Sequence, residues 1–346
     1  MSLSELLRLT GASGDEEQVR AYICRALQAT DVDVAVDNIG NLIATKNAPP
    51  GTPMPTPRIM LTAHMDEPGM IITSIHSSGM LTFKPIGALD AATLLGSHVL
   101  VGDKGIPGVI GGKPIHRLQE SERRNIPRMD SMMIDIGAAD EKDAATLINI
   151  GDYAVFAPAS GSWNLAGTLH GKALPSRVGC AMLLKVLALE LPVAFTAVFT
   201  VQKEVGLRGA QVAAYRINPD IALVLDAHPA QDFPGVDAHH QEAMLGAGPV
   251  LNAGDNLGMD VPLTSWLARV AATAGIPVQW QAKPQLKRET SVMHTTRTGT
   301  RTATLGLPCR YLGSPYQMMS QSDIDYAQQL ITDALMRLAK GESLPC

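Results

Sequence analysis

The stretch "AFTAVFTVQKEVGLRGA", residues 194–210, decides the fold. Its first half, Ala194 to Val201, is apolar almost throughout, as expected of a strand buried on both faces of an α/β sheet. Lys203 and Glu204 then stand side by side where the strand should stop, and a helix is expected after "LRGAQ". A strand that ends in charged residues and turns into a helix is the βα unit of an open sheet, where ligands collect at the carboxyl ends of strands. A lysine beside a glutamate is a puzzling pair for such a place, because acid/base catalysts are more often built from two carboxylates.

Outward from this unit the same rhythm recurs. "RIMLTAHMDEPG" (58–69) reads as a buried strand with His64, Asp66 and Glu67 at its end, and "IALVLD" (221–226) as another that ends on Asp226. "ATLGLPCRY" (303–311) is a further strand. Helices are expected over 14–29, from about Val178 to Leu191, over Pro262 to Ala274 and from Gln321 onward. "VDVAVDNIGNLIATK" (32–46) has the period-two pattern and Asn/Gly turn of a hairpin, and "APPGTPMPTP" (48–57) is a proline-rich loop.

Between about Met70 and Ser160 the texture changes to short alternating segments separated by glycine and proline, the pattern of a small β-barrel or sandwich. The expected architecture is an α/β domain with a mainly parallel mixed sheet flanked by helices, made of residues 1–69 and 161–346. A β-barrel domain, residues 70–160, interrupts it.

Composition narrows the function classes. Of 346 residues 46% are hydrophobic and 18% charged, with a net charge of -5. That balance offers no electrostatic reason to expect nucleic acid or an acidic membrane as partner. The four cysteines are far apart and form no CxxC pair, so they read as reduced thiols. No signal-peptide pattern and no long apolar window is present, and a cytoplasmic protein is the expectation. Aromatic residues make up 4%, which leaves few platforms for stacking sugars, and no carboxylate pair suggests glycosidase chemistry.

Residues two apart on a strand share a face, so His64 with Asp66, and Asp226 with His228, could each point one way. Taken singly, His64 and Asp66 suit a hydrogen-bonded loop pair, Asp226 suits a turn cap, and His228, His239 and His240 suit a solvated loop. Together with Glu204 they suit a site for zinc, manganese or cobalt, with Asp66 fixing the tautomer of His64 from behind.

These residues resemble a known family. "LTAHMDEPG" is similar to the "AHMDEVG" signature of the dinuclear-metal aminopeptidases that form large tetrahedral assemblies, some once called endoglucanases. "TGASGDEEQVRAYI", "DNIGNLIA", "PGVIGGKPIH", "IDIGA", "SRVGCAMLL", "EVGLRGA" and "LPCRYLGSP" extend the likeness along the chain. The resemblance implies a metal-dependent aminopeptidase that releases N-terminal residues from short peptides. It also implies a homo-oligomer, with a dodecamer as one form. Carried over by position, the metal ligands are His64, Glu204 and Asp226, with Asp66 supporting His64 and Arg177 retained nearby.

Other positions depart from the family. Pro175 stands where an aspartate bridges the two metals, Lys203 where a glutamate is the general base, and Gly313 where a histidine binds the second metal. "KRETS" (287–291) replaces a Gly-Thr-Asp segment. A two-metal centre holds its ions roughly 3.5–4 Å apart, and a bridging carboxylate offsets their repulsion. Proline and glycine offer no such atom, and a protonated lysine cannot take a proton from metal-bound water. The implied reading is a pseudo-peptidase that binds a short peptide or small molecule, with Lys203 as counter-ion to Glu204 and Asp226. It holds at most one ion per chain, or none. The alternative is an active hydrolase with a one-metal site of His64, Asp226 and His228.

Overall fold

The computed structural model describes residues 2–52, 57–158, 167–236, 243–252, 259–281, 288–342 and 344. Two short helices open the chain, α1 (Leu3–Leu6) and α2 (Glu17–Leu27). They lead into the antiparallel pair β1 (Asp33–Val36) and β2 (Leu42–Lys46), then β3 (Ile59–His64). Six strands follow: β4 (Gly69–Ile75), β5 (Leu81–Ile86), β6 (His98–Val101), β7 (Ile106–Gly111), β8 (Met133–Asp135) and β9 (Tyr153–Phe156). They close into a barrel in the order β4-β5-β8-β7-β6-β9, with α3 (Glu120–Arg123) and α4 (Glu141–Leu147) in its connections. Its interior is filled by Met70, Ile72, Leu81, Val101, Ile110 and Ile134.

β7 and α4 go beyond the expectations from sequence. Pro107 and Gly108, residue types common in turns, lie within the strand, and Pro107 points outward. Gly108 lies where a Cβ would come 2.8 Å from Ile134 Cγ2 on the neighbouring strand. The absence of a side chain there permits the close approach that closes the barrel.

The chain then returns to the α/β layer through β10 (Thr168–Gly171), α5 (Leu174–Leu187), β11 (Phe195–Thr200), α6 (Arg208–Ile217) and β12 (Ile221–Pro229). After these come β13 (Val250–Asn252), α7 (Val261–Ala274), β14 (Gln279–Gln281) and α8 (Thr290–Met293). The fold ends with β15 (Arg301–Arg310), β16 (Gln317–Ser320) and α9 (Gln321–Ala339). The ten-stranded sheet runs β1-β2-β11-β3-β12-β15-β13-β14, with β16 joining β15 to β10. Its centre, β11-β3-β12-β15, is parallel, and the antiparallel pairings lie at the margins.

Both faces of that centre are covered, which explains the unbroken apolar runs. Leu61, Leu223, Leu225 and Leu305 pack toward Leu183, Trp266 and Leu330 of α5, α7 and α9. Met60, Val198, Ala222 and Val224 pack toward Ala213 and Ala214 of α6 and Met293 of α8. By the two-residue period Thr62, His64, Thr200, Asp226 and His228 belong to this second face, just beyond its apolar part.

Two local readings are corrected. Helix α5 starts at Leu174 rather than near Val178, because Ala173 adopts φ 53° and Pro175 fits the first turn, where its missing N–H costs no bond. His228 is not in a solvated loop: β12 continues past Asp226 to Pro229, and the imidazole is fully buried. His239 and His240 lie outside the described residues.

Candidate active site

The carboxyl ends of β3, β11 and β12 meet the N-terminus of α5, the β15–β16 turn and the barrel segment 87–90 around a cleft of about 340 Å³. His64, Asp66, Lys203, Glu204 and Asp226 all line it, together with Pro175 and Gly313. The structure therefore brings together every sequence-predicted position except two. Arg177 lies behind the wall. His228 is turned away, accepting at Nδ1 a hydrogen bond from Arg288 Nη2 at 2.7 Å.

Asp66 organises the floor. It is fully buried and accepts the backbone N–H of Lys203 at 3.0 Å, that of Glu204 at 2.9 Å, and the hydroxyl of Ser13. His64 Nδ1 faces the same carboxylate at 3.4 Å. Burial alone would raise the Asp66 pKa, but His64 and these donors hold it down at about 2. One buried side chain thus fixes the peptide that carries Lys203 and Glu204 and faces the imidazole.

Lys203 Nζ lies 3.1 Å from Glu204 Oε1 and 3.4 Å from Asp226 Oδ1, and its side chain is 14% exposed. Burial disfavours the ammonium, yet Asp226 and Glu204 outweigh that and push its pKa above the ordinary lysine value. Asp226 is shifted the other way: burial raises it, but Lys203, then His64 and Arg288, hold it below the carboxylate range. His64 Nε2 is 3.8 Å from Asp226 Oδ1, beyond hydrogen-bond reach, and forms no hydrogen bond.

This donor set does not fit a two-metal centre. Pro175 and Gly313 present no ligand atom, and the Lys203 ammonium bonds both Glu204 and Asp226, where its charge opposes a cation. Among the described residues no three His, Cys, Asp or Glu side chains are grouped to hold a metal. His64 Nε2 and Asp226 remain as two donors facing one another.

Glu289 and Arg288 carry no obvious signal in the sequence. Glu289, from the "KRETS" segment, is buried beneath His64, with Thr62 Oγ1 donating to Oε2 at 2.9 Å and Thr200 donating to Oε1; burial raises its pKa. Arg288 is buried beside it. Behind the wall, Glu67 bonds Lys172 Nζ at 2.9 Å and Arg177 Nη2 at 2.8 Å. Arg177 also donates to the carbonyls of Leu6 (3.2 Å) and Met65. It fastens the N-terminal segment and the β3 exit to α5. The Cys180 thiol is buried on that helix, and burial pushes its pKa up to about 12.

The barrel supplies part of the same wall. Gly87 has φ +77°, and a Cβ there would come 2.8 Å from the Glu204 Cβ. Glycine is required both by that conformation and by the close approach. Among the described residues, no helix is long and apolar enough to cross a membrane.

Comparison with known proteins agrees with this architecture. The M42 glutamyl aminopeptidase family matches residues 40–330. A putative aminopeptidase of Acetivibrio thermocellus is 33% identical, with 96% of this chain and 97% of that protein covered. Among solved structures, the TET aminopeptidase of Thaumarchaeota archaeon SCGC AB-539-E09 superposes with a TM-score of 0.91. It is 31% identical, with 99% of this chain and 98% of that one covered. The TET1 peptidase of Pyrococcus horikoshii, which can assemble into a tetrahedron or a large octahedral shell, gives a TM-score of 0.82. Its identity is 30%, with 96% and 98% covered. This chain is a member of the M42 glutamyl aminopeptidase family.

Proposed function

We propose that the protein is a degenerate M42 peptidase that binds a short peptide or small molecule in the cleft instead of cutting peptides with two metal ions. The observation that carries this reading is the Lys203 ammonium, 3.1 Å from Glu204 and 3.4 Å from Asp226. Two nearly buried carboxylates left without a counter-charge would be strongly destabilising, and a cation on a flexible stem offsets that cost. The same cation opposes metal binding beside it and, being protonated, cannot act as a base. The role of Lys203 is then structural.

A one-metal hydrolase is the second reading. It is favoured by His64 Nε2, which has no hydrogen-bond partner and faces Asp226. His228, its intended third ligand, is engaged by Arg288. At most one zinc, manganese or cobalt ion belongs to this reading, held by His64 and Asp226. Homo-oligomeric assembly is supported by the shells of the P. horikoshii relative and the PhTET1-12s dodecamer. A cytoplasmic location completes the proposal.

The decisive experiment is metal content per chain by plasma mass spectrometry, after equilibration with each ion and desalting. It is paired with hydrolysis of aminoacyl anilides with and without chelator. No tight ion and no chelator-sensitive hydrolysis is the expected result. One ion with hydrolysis would establish the second reading, and two ions would overturn both.

A further inference from the structure

The cleft carries cationic and anionic groups side by side, and among the described residues no protein group satisfies all of them. One positive element is the N-terminus of the fourteen-residue helix α5. Its N-cap, Ala173, offers no capping side chain, and its first turn has no acidic residue. The Leu174 N–H is taken by Gln317 Oε1 at 2.9 Å, the Arg177 N–H by the Ala173 carbonyl at 3.0 Å, and Pro175 has none. The Ser176 N–H remains without a protein partner among the described residues, at the positive end of the helix dipole.

Lys203 adds a donor beside that N-terminus, and His64, whose Nδ1 faces the Asp66 carboxylate, adds an acceptor at Nε2. Lys203 Nζ carries three hydrogens, and Glu204 and Asp226 use two. His64 is 3% exposed, lines the cleft, and its Nε2 has no hydrogen-bond partner. A buried polar atom left in that state marks a place where a ligand or water belongs. Glu204 stands next to Lys203, which bonds its Oε1, and its Oε2 has no hydrogen bond among the described residues. Leu89, Leu312, Pro68 and Pro175 supply apolar walls. At about 340 Å³ the space is at the lower end of small-molecule pockets, roughly 300–1,000 Å³.

The Lys203 ammonium and a helix N-terminus call for a carboxylate, and the free Glu204 oxygen beside them, with the acceptor at His64 Nε2, calls for an ammonium. We propose that the cleft is a receptor site for a free α-amino acid with an apolar side chain. Its carboxylate sits at the Ser176 N–H and Lys203, and its ammonium at Glu204. A zwitterion adds no net charge to a site whose ammonium is already matched by carboxylates. This inference rests on the non-catalytic reading of the cleft and names its ligand.

The test is calorimetric titration of chelator-treated protein with L-leucine, L-leucinamide and N-acetyl-L-leucine. L-Leucine should bind, and removal of either charge should weaken binding at least tenfold. Pro175→Asp, which sets a carboxylate at the helix N-terminus, should weaken leucine at least tenfold while the melting temperature holds or rises. Equal binding of leucine and leucinamide would overturn the carboxylate subsite and leave a peptide-amine site standing. Equal binding of leucine and its N-acetyl form would remove the ammonium subsite. Binding of none of the three overturns the proposal. Metal content, measured separately, tests the parent reading alone.

Discussion

Lys203 and Asp226 meet across the sheet: Nζ lies 3.4 Å from Oδ1, although β11 and β12 are separated by β3. The lysine therefore spans the place where strand ends in this fold converge on a ligand. Lys203→Met should leave Asp226 and Glu204 without their cation and cost about 3 kcal/mol, since breaking a buried pair exposes the full penalty of the remaining charge. Urea unfolding with chelator present measures it. A change below about 0.5 kcal/mol would mean that the pair is solvated and structurally idle.

Charge reversal at the same position should convert stability into metal dependence. Lys203→Glu with Pro175→Asp should unfold more easily in chelator and regain stability with added zinc or cobalt, because ions that bind only the folded state stabilise it. Adding Gly313→His should help little. Gly313 has φ +80°, where a side chain is strained, so the ligand would carry a backbone penalty of about 1–2 kcal/mol. Thermal melts against metal concentration decide the matter.

Arg177→Met should be more damaging than any substitution lining the cleft. It leaves Glu67 with Lys172 as its remaining cation and strips donors from the Leu6 and Met65 carbonyls, so a loss of about 3–5 kcal/mol is expected. A double-mutant cycle with Lys172→Met would separate the ion-pair contribution from the carbonyl contacts.

Acid should erode stability from an unusually high pH. His228 is pushed down from 6.5 to about 3, first by burial and then by Arg288. Below pH 6.5 the unfolded chain takes up a proton that the folded chain refuses until about pH 3. Stability therefore falls across that window as pH is lowered. Asp66, shifted from 3.8 to about 2, adds a further loss as pH drops between those values. His228→Gln, whose amide oxygen can still accept from Arg288, should flatten the profile between pH 6 and 4, as read by equilibrium unfolding at each pH, within about 1 kcal/mol.

Gly87→Ala should disturb the cleft from the barrel side. The added methyl would meet Glu204 Cβ at 2.8 Å in a backbone conformation that disfavours any side chain. Displacement of Glu204 from Lys203 is expected, seen as a lost contact in a crystal structure and as weaker leucine binding. An unchanged Glu204 position would show that the barrel segment yields instead.

The central strands were legible because parallel strands covered on both faces must be apolar, so His64, Lys203 with Glu204, and Asp226 stand out where each run stops. The partners of those residues were not legible. Glu289 is buried by the arrival of α8 under the sheet, and nothing in "KRETS" marks it as a buried acid rather than a solvated one. Glu67 was visible beside His64 and Asp66, but Lys172 lies 105 residues further along, and only the fold brings them together. The sequence left His228 open between strand and solvated loop for a related reason. Pro229 suggests that the strand has ended, yet β12 keeps its register with β15 as far as Cys309.

Asp66 holds the main chain of residues 203 and 204 rather than their side chains. The turn is therefore held independently of the side chain mounted there: whatever replaces Lys203, and whatever that change costs in stability, the same two amides are bound. Such a socket lets chemistry be exchanged by single codon changes without refolding the neighbourhood. An enzyme can become a receptor by this route, and the same route leads back.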